Sequence, residues 1–189
     1  MQVIEWPQFR INGLPSGQKK ASVTIGVFDG VHRGHQALIQ SVVSHNVNEM
    51  PVVITFRENH KGKNHTDNIQ TFEERLAMLE SLGVEITVAI DFTESFRRIS
   101  GLEFLEILLN HINIGFFAVG SNFRCGYQLD TDAAAIQKFF ALHNIPVEII
   151  PEVMEGSMPI SSSRIRAAIA AGDFPLAEAM LRGRSELCG

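Results

Sequence analysis

The stretch Gly26-Val27-Phe28-Asp29-Gly30-Val31-His32-Arg33-Gly34-His35 lies between two segments of opposite periodicity. Upstream, residues 21–27 are apolar and β-branched and read as a strand. Downstream, residues 33–47 place Leu38, Ile39, Val42 and Val43 at helical spacing and read as a helix with those four on its buried face. In the join, Gly30 permits a tight turn and Gly34 lets backbone or ligand come close.

Outward from there the alternation recurs. Pro51 opens a second strand over 51–56, at a position where a missing N–H is tolerated. Thr71 and Glu74 form a capping box for a helix that reaches Leu82 and stops at Gly83. Residues 85–90 form a third strand, and Ser100 with Glu103 opens a helix through His111. A fourth strand over 115–119, a helix over 132–143 and a fifth strand over 146–150 follow. A helix over 161–171 closes at Gly172, and 174–181 form a last short helix. The expected fold is therefore α/β, a five-stranded parallel sheet with helices on both faces and right-handed crossovers. Ligands in such folds sit beyond the carboxyl ends of the strands, here just after Val27, Phe56, Val119 and Ile150.

The 189 residues fit one such domain and would be tight for two. An apolar share of 45% and a charged share of 20% are those of a globular chain. Lys and Arg total 16 against 21 for Asp and Glu, a net charge of −5, which argues against a general nucleic-acid surface but permits a local basic pocket. Residues 1–10 lack the pattern of a signal peptide, and no apolar run is long enough for a bilayer. A cytoplasmic protein with neither nucleic acid nor membrane as partner is expected. Cys125 and Cys188 match no metal or disulfide spacing and read as reduced thiols.

Three segments carry candidate chemistry. His35 falls near a helix start, where free N–H groups and the macrodipole favour an anion. His32 lies three residues earlier, so both imidazoles can face the same phosphates, as N–H donors or, when protonated, as cations. Two plainer readings stand beside this: satisfied structural histidines, or a zinc-binding pair that needs a third protein ligand. Ile160-Ser161-Ser162-Ser163-Arg164-Ile165-Arg166 lies at a loop-to-helix junction, with Ser161 or Ser162 as N-cap. Its hydroxyls, helix start and two arginines make either a phosphate cradle or an ordinary cap with surface charges. In Gly120-Ser121-Asn122-Phe123-Arg124-Cys125-Gly126, Asn122 suits a phosphate, a ribose or a base edge and Arg124 a phosphate, unless the segment is only a glycine-bounded turn. Residues 57–68 are the longest irregular polar stretch. Arg57, His60, Lys61, Lys63 and His65 make it a cationic loop, suited to an acceptor phosphate or simply solvated.

The form G-x-F-D-G-x-H-x-G-H, here Gly26 to His35, resembles the adenylyltransferase module of bacterial FAD synthetases, and its H-x-G-H core the first signature of the nucleotidylyltransferase superfamily. Ile160 to Arg166 is similar to the second signature, I-S-S-[ST]-x-I-R, with Arg164 in its variable slot. Gly120 to Gly126 resembles the family's G-x-[DN]-F-x-F-G, with Cys125 in place of an aromatic. Where the family has T-F-x-P-H-P after the second strand, this chain has Thr55-Phe56-Arg57-Glu58-Asn59-His60, which lacks the prolines. The likeness ends at Leu181-Arg182-Gly183-Arg184, similar to the family's junction to a riboflavin kinase barrel. The expectation is one nucleotidylyltransferase domain over 1–189 without that kinase.

The resemblance implies a Rossmann-like nucleotidylyltransferase fold and an FMN adenylyltransferase, which moves AMP from ATP to FMN and releases pyrophosphate. It implies His32, His35, Asn122 and Arg166 as catalytic residues. Gly26, Phe28, Asp29, Gly30, Gly34, Ser162, Ser163 and Arg164 would surround ATP; Thr55, Phe56, Arg57, His60, Phe123 and Arg124 would surround FMN. Mg²⁺ would be held through substrate phosphates rather than by protein ligands, with Asp29 either an indirect partner or a turn-fixing residue. No protein nucleophile is needed, because positioning and charge stabilisation suffice. Two alternatives remain open: a nucleotidylyltransferase for another phosphorylated acceptor, such as phosphopantetheine or glycerol phosphate, and a catalytically degenerate nucleotide- or flavin-binding module. The sequence carries no sign of oligomeric state.

Overall fold

The computed structural model describes residues 1–15, 19–57 and 68–182, and its first element is one that periodicity does not announce. Gln2–Glu5 (β1) runs directly into Trp6–Asn12 (α1), whose Pro7 sits in the first turn where no N–H is needed. Ala21–Ile25 (β2), Arg33–His45 (α2), Met50–Phe56 (β3), Phe72–Ser81 (α3) and Ile86–Ile90 (β4) follow. After them come Glu94–Arg97 (α4), Gly101–His111 (α5) and Ile114–Gly120 (β5). Arg124–Cys125 (β6) and Thr131–Asp132 (β7) form a small antiparallel hairpin. Ala133–Ala141 (α6) and Val147–Ile150 (β8) lead to a second hairpin, Met154–Glu155 (β9) with Met158–Pro159 (β10). Ser162–Ala170 (α7) and Phe174–Arg182 (α8) end the described chain.

The main sheet runs β1-β4-β3-β2-β5-β8 and every pairing in it is parallel. Among the described residues it thus has six strands, not the expected five. The extra one, β1, is four residues at an edge with only Ile4 fully buried, too short for a period to register. Strands β2 to β4 are the opposite case, buried almost throughout because helices cover both faces. Val52 and Ile54 pack with Trp6, Phe9, Phe104 and Phe140 on one side, while Val53 packs with Leu38, Ile39 and Leu79 on the other. A third cluster, Ile165, Ala168, Ala177 and Met180, joins α7 to α8.

The caps follow the sequence. Thr71 and Glu74 bond reciprocally, 2.8 and 3.1 Å. Ser100 Oγ accepts from Glu103 N–H at 3.2 Å, and Asp132 Oδ1 accepts from Ala135 N–H at 2.9 Å, which makes Asp132 the cap of α6 rather than its first turn. Strand order reverses between β2 and β5, and the two predicted phosphate segments and the Asn122 loop gather beyond the carboxyl ends on either side of that point. Among the described residues, no helix is long and apolar enough to cross a membrane.

Candidate functional site

Beyond β2 the chain makes a sharp turn through backbone that L residues seldom adopt: φ is 53° at Phe28, 84° at Gly30 and 33° at Val31. The Phe28 ring lies so close over Gly26 that a Cβ there would meet it at 2.9 Å, and it stands edge-on to His35 at 5.2 Å. His32 caps α2, its Nδ1 accepting from His35 N–H at 3.3 Å. In a neutral ring the proton of His32 then sits on Nε2 and is free to be donated. The His32 and His35 rings stack with centroids 3.5 Å apart at 17°. Gly34 makes room, since a Cβ there would stand 3.3 Å from the His32 ring.

Burial drives the His32 pKa down to about 4, against weaker opposing effects of its backbone hydrogen bond and of Asp29. Burial, then His32 and Arg75, holds His35 well below the ordinary imidazole value. Without ligand both rings are therefore uncharged at neutral pH.

At the second segment Ser161 is the cap of α7, its Oγ accepting from Arg164 N–H at 3.2 Å. Ser162 Oγ donates to the carbonyl of Asp29 at 2.9 Å, and Arg166 Nη1 donates to Asp29 Oδ2 at 2.6 Å. Arg166 Nη2 also reaches Ser163 Oγ at 3.3 Å. Asp29 Oδ1 accepts from Ile69 N–H at 2.9 Å. Asp29 is thus the joint where the two segments meet. Arg164 is turned to other work: it donates to the carbonyls of Glu155, Met158 and Pro159 at 3.0, 2.9 and 3.2 Å, and it does not line the cleft.

The cleft between these segments has a volume of about 620 Å³. Gly26, Phe28, Asp29, His32, Gly34, His35, Ser162, Ser163 and Arg166 line one end. Phe56, Phe92, Phe96, Phe104 and Phe123 make the other end aromatic, with Arg97 held over the Phe92 ring at 5.2 Å. Cys125 lies in this wall, and burial, aided by Asp130, pushes its thiol up to about 12, which keeps it protonated at neutral pH. Asn122 and Arg124 also line the cleft; Asn122 Nδ2 donates to Glu152 Oε1 at 2.9 Å, and Arg124 stands 3.9 Å from Asp132.

Several predicted residues lie elsewhere. Gly30 shapes the turn against Ile69 without lining the cleft. Thr55 donates to the carbonyl of Val27 at 3.1 Å, behind the cleft wall. Arg57 pairs with Glu5, stands 3.5 Å from Asp91 and covers the Phe72 ring, away from the cleft. His60, Lys61, Lys63, His65, Gly183, Arg184 and Cys188 lie outside the described residues. Among the described residues, no three His, Cys, Asp or Glu side chains are grouped to hold a metal.

Besides Phe92, Phe96 and Phe104 of the aromatic wall, three polar residues escaped the sequence reading. Arg75, 2% exposed, donates to the carbonyls of Val27, Phe56 and Arg57 and so ties the ends of β2 and β3. Its signal was its place four residues before buried Leu79, on the inward face of α3. Glu152 follows the β8 end, a position the fold itself marks. Arg97, on the four-residue α4, gave no signal.

The family described as FAD synthetase matches residues 14–164. A bifunctional riboflavin kinase/FMN adenylyltransferase of Escherichia coli (strain K12) is 31% identical over 171 residues, 87% of this chain and 55% of that protein. An FAD synthetase of Listeria monocytogenes serovar 1/2a is 30% identical over 176 residues, 88% of this chain and 71% of that protein. The chain thus spans about half the length of the Escherichia coli relative. Among solved structures, a macrolide-efflux protein from Streptococcus pneumoniae superposes with a TM-score of 0.81 at 28% identity, over 96% of this chain and 60% of that one. A pantoate-beta-alanine ligase from Francisella tularensis, with a TM-score of 0.60 and 15% identity over 93% of this chain and 78% of that one, shares the fold. The strand-turn-helix at Gly26 to His35, the Ser-rich start of α7 that meets it at Asp29, and the match over 14–164 lead to one assignment: this chain belongs to the FAD synthetase family.

Proposed function

We propose that the chain is an FMN adenylyltransferase. An oxygen of the FMN phosphate attacks the α-phosphorus of ATP, the bond to the β-phosphate bridging oxygen breaks, and FAD forms as pyrophosphate leaves. The observation that carries this reading is the joint at Asp29: it brings two helix starts, each with its own donors, to one cleft whose far end is aromatic.

In this reading the triphosphate lies along the starts of α2 and α7. Uncharged His32 donates Nε2–H to a phosphate oxygen, with the His35 ring stacked beside it. Ser162, Ser163 and Arg166 hold the departing pyrophosphate, and Asn122, oriented by Glu152, positions the reacting phosphates. Mg²⁺ would neutralise phosphate charge, and with no metal-holding cluster among the described residues it would be carried by the phosphates of ATP. The isoalloxazine ring lies among Phe56, Phe92, Phe96 and Phe123, where ring stacking and apolar burial favour a planar heterocycle. Arg97 and Arg124 supply positive charge on the acceptor side. Membership of the FAD synthetase family and the names of the relatives support the same reading.

The test is to incubate the purified protein with ATP, MgCl₂ and FMN and to follow FAD by chromatography and pyrophosphate by a coupled assay. Equimolar appearance of both is expected. Pyrophosphate release with phosphopantetheine or glycerol phosphate but not with FMN would move the activity to another acceptor. Tight FMN and ATP binding with no pyrophosphate from any acceptor would make the chain a binding module.

A further inference from the structure

Arg33 occupies the one slot of His32-Arg33-Gly34-His35 to which the proposed reaction gives no task, and it does not line the cleft. Its Nη1 donates to Glu155 Oε2 at 2.6 Å and to the carbonyl of Ala179 in α8 at 3.3 Å. The Glu155 side chain is 10% exposed and that of Arg33 32%, so water screens this pair little. Glu155 ends β9, and its carbonyl accepts from Arg164 Nη2 at 3.0 Å. Arg164 stands in the first turn of α7 and also holds the carbonyls of Met158 and Pro159 in β10. Gln36, in the second turn of α2, donates to the carbonyls of Val31 and Leu181 at 2.8 and 2.9 Å, fastening the end of α8 to the same side.

Among the described residues, the starts of α2 and α7 are therefore linked by side-chain hydrogen bonds at two places. One joint is Asp29, in the cleft wall. The other runs through Arg33, Glu155 and Arg164, none of which lines the cleft. A single joint lets one helix pivot on the other; two joints define both separation and angle. The geometry points to Arg33 and Glu155 as positioning residues, whose ion pair fixes how the imidazoles of His32 and His35 stand relative to the hydroxyls of Ser162 and Ser163. A charge-assisted hydrogen bond of this length is directional as well as strong, as such a brace requires. The kinetic consequence rests on the adenylyltransferase reading; the geometric one does not.

The test compares Arg33→Met and Glu155→Gln with Arg33→Lys, which keeps the charge, in the full chain. Two measurements are made: ¹⁵N-resolved imidazole spectra of His32 and His35 without ligand, and steady-state kinetics well below the melting temperature. In Arg33→Met and Glu155→Gln both imidazole signals shift, and kcat falls about tenfold to hundredfold while KM for ATP changes less than about threefold. Arg33→Lys restores the spectra and most of kcat. Unchanged imidazole spectra in Glu155→Gln and Arg33→Met overturn the proposal, even if the melting temperature drops, because they leave the pair a mere prop. If Arg33→Met does not fold, the nearly isosteric Glu155→Gln decides. If the wild-type protein makes no FAD, the adenylyltransferase reading fails and the spectra still decide the brace.

Discussion

Asp29 Oδ2 and Arg166 Nη1 stand 2.6 Å apart across 137 residues of sequence, and this contact joins the two phosphate-ready helix starts. The Asp29 side chain is 4% exposed and that of Arg166 27%. Asp29→Ala removes acceptors from Arg166 and from Ile69 N–H together. Urea unfolding is expected to show a loss of about 1–3 kcal/mol, and FAD formation a fall of at least about a hundredfold. Wild-type turnover in the variant would separate the joint from the chemistry.

His32 gives the protein a pH signature. Its pKa is about 4 when folded and 6.5 in the open chain, so between these values the unfolded state binds the extra proton. The stability it contributes is complete above about pH 6.5 and is lost as pH falls toward 4, a drop of about 2 kcal/mol from pH 7 to pH 5. His32→Asn retains an N-cap but cannot titrate, and should remove about this much of the fall measured by urea melts, leaving the share that His35 contributes. The same substitution is expected to lower turnover at least about a hundredfold, because the Nε2–H donor is gone.

Gly34→Ala separates helix propensity from function. The exchange favours the helix by up to about 1 kcal/mol, so the melting temperature should hold or rise. The new Cβ stands 3.3 Å from the His32 ring and must push it by a few tenths of an ångström. A fall of about tenfold in kcat with unimpaired stability is expected; a fully active variant would show that the stacked geometry has slack.

Arg75→Met should act in the opposite sense, on the scaffold first. It strips the carbonyls of Val27, Phe56 and Arg57 of a common buried donor. A loss of about 3 kcal/mol or more is expected, seen as a fall of about 6–12 °C in melting temperature by calorimetry. A variant that melts within a degree of wild type would mean that other donors replace the guanidinium.

The sequence announced those parts of the molecule in which one physical pattern dominates. The buried strands β2 to β5, the capped helices and the glycine turn after β2 all carry periods or caps that act locally. The edge strand β1 depends on pairing with distant β4, and the two-residue hairpins β6–β7 and β9–β10, though local, are too short to leave a period to read. In the site, His32, His35, Ser162, Ser163 and Arg166 come to one cleft as their motifs suggested. Arg57 does not, because Glu5 and Asp91, distant in sequence, claim its guanidinium. Partners across elements, charges and carbonyls alike, are invisible to composition, which is also why the contacts of Arg33 and Arg75 went unread.

The turn after β2 keeps Phe28 and Val31 at positive φ, and for a β-branched valine such a backbone costs on the order of 1–3 kcal/mol. Val31 is also wholly buried among apolar side chains, so glycine there would give up packing of about the same size in the act of relieving the torsion, and asparagine would bury an amide besides. The bend is thus held taut by the side chain that it strains. Neither selection for shelf life nor selection for turnover gains by slackening that position.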